Sequence, residues 1–319
     1  MILAKAIDEK IKELITDAQS ILIVSHKRPD GDAIGSLLAL GHALIEQGKQ
    51  VQMVLEDGLP DKYGHLASAH FVSQSIARDY DLCIIVDSSD LERTGSLLLE
   101  KPTPDIVIDH HKTNTHFGKV NLVEDEAVAT ASILAVHMPL WGLPLDKEVS
   151  SSLLTGILGD TIGFRTSNVD SQTMRLVADL IDCGANLPEL YQKALVGRTI
   201  EEIRYWAQGL LKIVKENELV WTSLSLDDRI KSGYFENDDA DLINILSSTA
   251  EAKIAMIFVE QNGGIVKVSW RSNSGIDVSG IAFKFGGGGH EAAAGAEIRG
   301  ELSQVSREVI KETKSLLMN

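Results

Sequence analysis

Several short stretches of this chain deliver histidines and aspartates in tight groups. They are His26-Lys27-Arg28-Pro29-Asp30-Gly31-Asp32, Asp87 in VDSSD, Asp109-His110-His111, and Asp160 in GILGD. The donors are imidazoles and carboxylates with no sulfur, a set that suits Mn²⁺, Mg²⁺ or Co²⁺ better than structural zinc. Six of them (His26, Asp30, Asp32, Asp87, His110 and Asp160) are too many for one ion. Two ions about 4 Å apart, sharing one carboxylate, would use them all. Crowding these carboxylates without a cation would cost heavily in repulsion and desolvation. Each residue alone has a plainer role: Asp32 as the N-cap before AIGSLL, Asp87 as an Asx turn before SSD, a histidine as a structural side chain. Those plainer roles would have to coincide at four segment ends, which favours a dinuclear site.

The elements around these residues place them at one edge. ILIVS (21–25) reads as a strand running into His26, and IGSLLALGHALIEQG (34–48) as a helix closed by Gly48. VQMVLED (51–57), DLCIIVDSS (81–89) and DIVIDHH (105–111) read as further strands. Continuous apolar strands between helical patterns argue for a parallel sheet covered on both faces. Ligands of such sheets bind beyond the carboxyl ends of the strands, where these residues fall. Helical patterns dominate from about 127 to 214. Beyond residue 217, ELVWTSLSL, KIAMIFVEQNGG and IVKVSWRS alternate like half-exposed strands, with NGG as a hairpin signal. The expected class is therefore α/β: an N-terminal domain with a mainly parallel sheet covered by helices (1–190), a helical connector (191–215), and a smaller C-terminal α/β domain with a mixed sheet (216–319).

Composition narrows the partners. The 319 residues carry 46 Asp plus Glu against 30 Lys plus Arg, a net charge of −16. Such a surface repels long nucleic acid, so an anionic substrate must be small and held by local cations or metals. Cys83 and Cys183, the two cysteines, have no CxxC partner and read as buried free thiols. The N-terminus reads as an amphipathic helix without a signal-peptide core, and no run approaches the roughly 20 apolar residues of a membrane span. The cytoplasm is the expected compartment.

The stretch KFGGGGHEAAAGAEI (284–298) needs its own account. A flexible linker does not fit, because a helical tail follows within about ten residues. A dinucleotide-binding turn does not fit either, because too little chain remains for a βαβ unit. What remains is a tight loop feeding a short Ala-rich helix, whose N–H groups would cradle a phosphate with charge from His290 and Arg271.

SHKRPDGDAIGS, VDSSDLERTG, IDHHKTN and GILGDTIGF, in this order, closely resemble the four motifs of the DHH phosphoesterase superfamily. The tail, WRSNSGIDVSGIAFKFGGGGHEAAAG, resembles its companion DHHA1 domain. The resemblance covers nearly the whole chain and is closest to the NrnA-like group of oligoribonucleases and 3′-phosphoadenosine 5′-phosphate (PAP) phosphatases. It implies that His26 and Asp30 bind one metal, that Asp32, His110 and Asp160 bind the other, and that Asp87 bridges them. It implies that Asp109 orients a histidine and that His111 faces the phosphate, with the roles of His110 and His111 open to interchange. Lys112 and Arg165 are candidate cations beside the phosphate, whereas Arg93 reads as loop or domain-interface support. Gly286, Gly287, Gly288, Gly289 and His290 would bind the terminal nucleotide, with Arg271, Ser272, Asp277 and Ser279 as weaker candidates. The implied reaction is attack of metal-activated hydroxide on phosphorus, with Mn²⁺ the first choice of ion. Its substrates would be short single-stranded oligonucleotides and small phosphorylated nucleotides, released as nucleoside monophosphates, with no long duplex and no membrane partner; a homodimer is left open. A cleft between two domains that closes on substrate is a further expectation. Rival readings are a linear or cyclic dinucleotide phosphodiesterase of the pApA type, a pyrophosphatase or exopolyphosphatase, and a nucleotide-binding regulator without catalysis.

Overall fold

The computed structural model describes residues 2–99, 101–272 and 275–317. The chain divides into two compact units, Met1–Gly197 and Arg198–Asn319. The first unit contains α1 (Ile2–Asp17), β1 (Ser20–Val24), α2 (Gly31–Glu46), β2 (Gln50–Val54), β3 (Val72–Ser73), β4 (Leu82–Val86), β5 (Ile106–Asp109) and β6 (Val120–Val123). There follow α3 (Thr130–His137), α4 (Lys147–Asp160), α5 (Ser171–Asp182) and α6 (Leu187–Tyr191).

The six strands pair in the order β3-β2-β1-β4-β5-β6, all parallel. The chain builds outward from β1 in one direction and then from β4 in the other, so the strand order reverses between β1 and β4. In doubly wound sheets that switch point opens a crevice at the carboxyl ends of the two strands. Strand side chains alternate between faces. Ile21, Ile23, Ile84, Val86, Ile106 and Ile108 pack with the helices, while Leu22, Val24, Cys83, Ile85 and Val107 face the other way. That second face is covered by Ile76, Tyr80, Leu91, Leu97, Leu98 and Phe117 from irregular segments. Cys83 is buried as expected, but Cys183, at the C-cap of α5, is only half-buried; both are free thiols.

The pair α2 and α4 decides where the acids go. A Cβ on Gly35 would stand 2.8 Å from the amide nitrogen of Gly156, and one on Gly31 would stand 3.3 Å from the Cα of Gly159. Glycine at these positions lets the two helices run antiparallel in backbone contact. The first turn of α2 thereby meets the last turn of α4.

The second unit contains α7 (Ile200–Leu210), β7 (Val214–Glu216), β8 (Leu219–Leu224), α8 (Leu226–Ser232), α9 (Leu242–Ser247), β9 (Ile254–Gln261) and β10 (Ile265–Ser272). It closes with α10 (Ser279–Lys284), β11 (Gly288–His290), β12 (Ala293–Arg299) and α11 (Leu302–Lys314). Its sheet, β11-β12-β10-β9-β8-β7, is antiparallel except for the parallel pair β8–β9. The β9–β10 hairpin turns through Asn262-Gly263-Gly264, both glycines at positive φ (79° and 68°). One face packs on α7 and α9 around Tyr205 and Leu242, the other on α10 and α11 around Trp270 and Val309.

The glycine run does not lead into a helix. Gly288–His290 and Ala293–Arg299 form an antiparallel hairpin, and Ala294 and Ala296 are buried in the core beneath. A Cβ on Gly289 would lie 2.5 Å from the Ala293 carbonyl oxygen, and one on Gly287 would collide with the carbonyl of Gly295. Strand pairing and burial of small side chains outweigh the helix propensity of alanine, which is only a weak local preference.

Candidate metal centre

Each donor emerges where an element ends. β1 runs into buried His26, and Asp30 caps α2 by accepting from the N–H groups of Asp32 (3.0 Å) and Ala33 (3.1 Å). Asp32 lies in the first turn of α2. β4 ends at Asp87, which is 1 % exposed and sits in the left-handed region at φ 57°. β5 ends with Asp109, followed by His110 and His111, and Asp160 is the last residue of α4. The switch point and the glycine contact together bring these segments to one place.

His26 Nε2 lies 3.4 Å from Asp87 Oδ2 and 3.9 Å from Asp30 Oδ1. His110 Nε2 lies 3.2 Å from Asp160 Oδ2, 3.8 Å from Asp87 Oδ1 and 3.9 Å from Asp32 Oδ2. Among the described residues, three groups have donor atoms mutually within 4.8 Å: His26–Asp30–Asp87, Asp32–His110–Asp160 and Asp87–His110–His111. Asp87 thus turns one oxygen to His26 and the other to His110. His111 is engaged differently: its Nδ1 lies 2.7 Å from Asp109 Oδ1, and Asp109 also accepts from Asn114 Nδ2 at 2.6 Å.

The electrostatics fit a cation. Burial, then the charges of Asp87, Asp160 and Asp30, push the Asp32 carboxyl well up. Asp160 is raised to about 7, chiefly by burial and, against the pull of His110, by Asp30 and Asp87. It also sits at the carbonyl end of α4, where the helix dipole disfavours a negative charge. Burial would raise Asp87 too, but the hydrogen bond and charge of His26, with His110 and His111, hold it well below the ordinary carboxylate range. His26 is raised to about 9: burial pulls it down, and Asp87 more than reverses this. Among the described residues, the ion pairs of Asp32, Asp87 and Asp160 run only to histidines. An all-oxygen-and-imidazole set with mutually repelling buried acids matches a divalent ion of the Mn²⁺, Mg²⁺ or Co²⁺ kind.

The other expected site residues are placed less uniformly. Lys112 and Arg165 are both exposed; among the described residues, neither side chain makes a hydrogen bond or ion pair. A cation that does reach the centre is Arg93, with Nη1 3.4 Å from His111 Nε2. Its backbone is pinned by Asp90 Oδ1 on its N–H and by the Lys27 N–H on its carbonyl. A surface crevice beside it is lined by His26, Lys27, Arg28, Asp30, Asp90, Glu92 and Arg93. The sequence suggests loop or domain-interface support for Arg93, because nothing local shows that its side chain turns toward His111. In the second unit, half-buried Arg271 donates to the Trp270 carbonyl (3.0 Å) and buried Ser272 donates to Ile276 O (2.6 Å). Asp277 accepts from Ser279 N and Oγ, a local turn pair. Gly286 and Gly288 have open space where a Cβ would stand. His290 is described only through the strand backbone; its side chain lies outside the described part of the structure.

The DHH family, N-terminal domain, matches residues 20–157, and the DHHA1 domain matches residues 228–318. The chain belongs to the DHH phosphoesterase family. Within it, the chain is 31 % identical over 309 residues to the bifunctional oligoribonuclease and PAP phosphatase NrnA of Thermus thermophilus, covering 93 % of this chain and 90 % of that protein. It is 27 % identical to the protein of the same name from Mycoplasma genitalium, covering 93 % and 95 %. In fold it superposes on an exopolyphosphatase-related protein from Bacteroides fragilis with a TM-score of 0.90 at 23 % identity, covering 98 % of both chains. Membership of this group is the outcome the motifs led us to expect.

Proposed function

We propose that this chain hydrolyses short oligonucleotides to nucleoside monophosphates and removes the 3′-phosphate of PAP, using two divalent ions, Mn²⁺ first among them. The observation that carries the two-ion reading is the carboxylate of Asp87, whose two oxygens serve two adjacent donor groups. His26 and Asp30 form one group with Asp87, and Asp32, His110 and Asp160 form the neighbouring group, which Asp87 Oδ1 meets at His110. The reaction and substrates are those named for the relatives. Divalent ions held here supply Lewis acidity to the phosphate and to its attacking water.

The chain's own residues do the rest. Asp109, fixed by Asn114, accepts the Nδ1 proton of His111 and so keeps Nε2 turned outward for a proton at the departing oxygen. Arg93 presents a guanidinium fork beside that nitrogen, suited to two oxygens of a phosphate. In the second unit, Arg271 and the glycine hairpin hold the terminal nucleotide. Gly287 and Gly289 abut β12 with no room for a side chain, whereas Gly288, opposite Gly295, has open space where a Cβ would stand.

The test is a panel of a 3-mer RNA, a 3-mer DNA, PAP, pApA and pyrophosphate with Mn²⁺, Mg²⁺ or Co²⁺. Mononucleotide release from the RNA and phosphate release from PAP, both abolished in Asp87→Ala, is the expected result. Tight nucleotide binding without turnover of any member would overturn it in favour of a regulator.

A further inference from the structure

The donors come from β1, α2, β4, β5 and α4, yet three of them are oriented by a segment that supplies none. The Ala127 carbonyl lies 3.2 Å from His110 Nδ1, which leaves Nε2 facing the acids. The amides of Thr130 and Ala131 donate to Asp32 Oδ2 and Oδ1 at 2.6 and 2.9 Å. The N-cap of α3 is Ala129, with no side-chain cap of its own, so Asp32 takes that place from across the fold. Thr130 Oγ1 then donates to Asp87 Oδ1 at 2.9 Å. The segment is braced from behind: Glu124 N donates to the Asp109 carbonyl (3.1 Å), and Glu124 Oε1 lies 3.1 Å from His137 Nε2.

We propose that Thr130 is a positioning residue for Asp87, fixing which of its oxygens serves which donor group. Asp87 Oδ2 lies 3.4 Å from His26 Nε2, and the direction of its other oxygen is set by what donates to it. The buried Thr130 hydroxyl holds it from the side of Asp32, with Oδ1 toward His110 and Oδ2 toward His26. A carboxylate oxygen that accepts one hydrogen bond keeps a lone pair for an ion, and partners of this kind are worth about 10–100-fold in metal affinity. The inference rests on the two-ion reading above.

The experiment titrates Mn²⁺ into metal-free wild type, Thr130→Val, Thr130→Ala and Thr130→Ser, followed by calorimetry and by the EPR signal of free Mn²⁺. Valine keeps the shape and loses the hydroxyl; serine keeps the hydroxyl and loses the methyl. Wild type and the serine variant are expected to bind alike. The valine and alanine variants are expected to lose about 10–100-fold in affinity for at least one equivalent. Wild-type binding by valine or alanine overturns the inference, as does serine binding as weakly as alanine. Should the valine variant not fold, the alanine and serine variants decide the same question. Wild type that takes up no divalent ion overturns the two-ion reading together with this inference, a result distinct from wild-type affinity in the hydroxyl-free variants.

Discussion

Asp160 carries the clearest conflict between folding and use. Its carboxyl is raised to about 7, by burial first and by neighbouring acids. An acid whose pKa is higher in the folded than in the unfolded state costs stability once pH exceeds its unfolded value, and the cost grows until pH passes the folded value. Metal-free Asp160→Asn should therefore have a higher urea midpoint than wild type at pH 8, the difference shrinking toward pH 4, while its Mn²⁺ uptake weakens. A lower midpoint at pH 8 would contradict this. Arg93 is the second residue-scale test. Arg93→Met should lower kcat/KM on a short RNA by about 10²–10³-fold, the scale of one lost transition-state donor. Arg93→Lys should recover only part, since an ammonium cannot reproduce the fork. Metal uptake should be unchanged in both; a methionine variant with wild-type kcat/KM would remove Arg93 from the chemistry. That His26, Asp30, Asp32, Asp87, His110 and Asp160 converge was legible in the sequence, because parallel strands end at one edge and each of these residues follows a strand or bounds a helix. Arg93 and Thr130 were not, because their roles lie in side-chain directions. Thr130 meets Asp87 across 43 residues and Asp32 across 98, with no motif joining them.

Among the elements, the glycine contact between α2 and α4 does most to assemble the centre. A Cβ on Gly156 would come 2.6 Å from the Cβ of Ala131 and 2.9 Å from Asp32 Oδ1. Gly156→Ala should thus destabilise by about 1–3 kcal/mol, as overpacking does, and should also displace Asp32. Urea denaturation and Mn²⁺ titration check both; full stability with full affinity would show that the helices do not meet as described. The helices and strands of both sheets follow from period and turn chemistry, as in the Asn262-Gly263-Gly264 hairpin. The Ala-rich tail shows where local reading fails. Three alanines favour helix in isolation, but here small side chains let β12 lie between β10 and β11, a choice made by partners remote in sequence.

At the scale of the whole molecule, charge and site point to the same substrate size. A chain with net charge −16 offers long nucleic acid little attraction. Binding of a labelled 20-base-pair duplex at physiological salt should be weaker than about 10⁻⁴ M, the weak end of ordinary non-specific binding; fluorescence polarisation measures it, and micromolar binding would contradict it. Among the described residues no helix is long and apolar enough to cross a membrane. The change from parallel to mixed sheet was readable as a change of strand pattern after residue 217, and the two compact units divide at Gly197–Arg198. The central claim is a two-ion centre joined by Asp87 at the switch point of the first sheet. Anomalous diffraction from crystals grown with Mn²⁺ tests it most directly. The account predicts two peaks about 4 Å apart with Asp87 between them; a single peak, or two peaks that do not share Asp87, would contradict it.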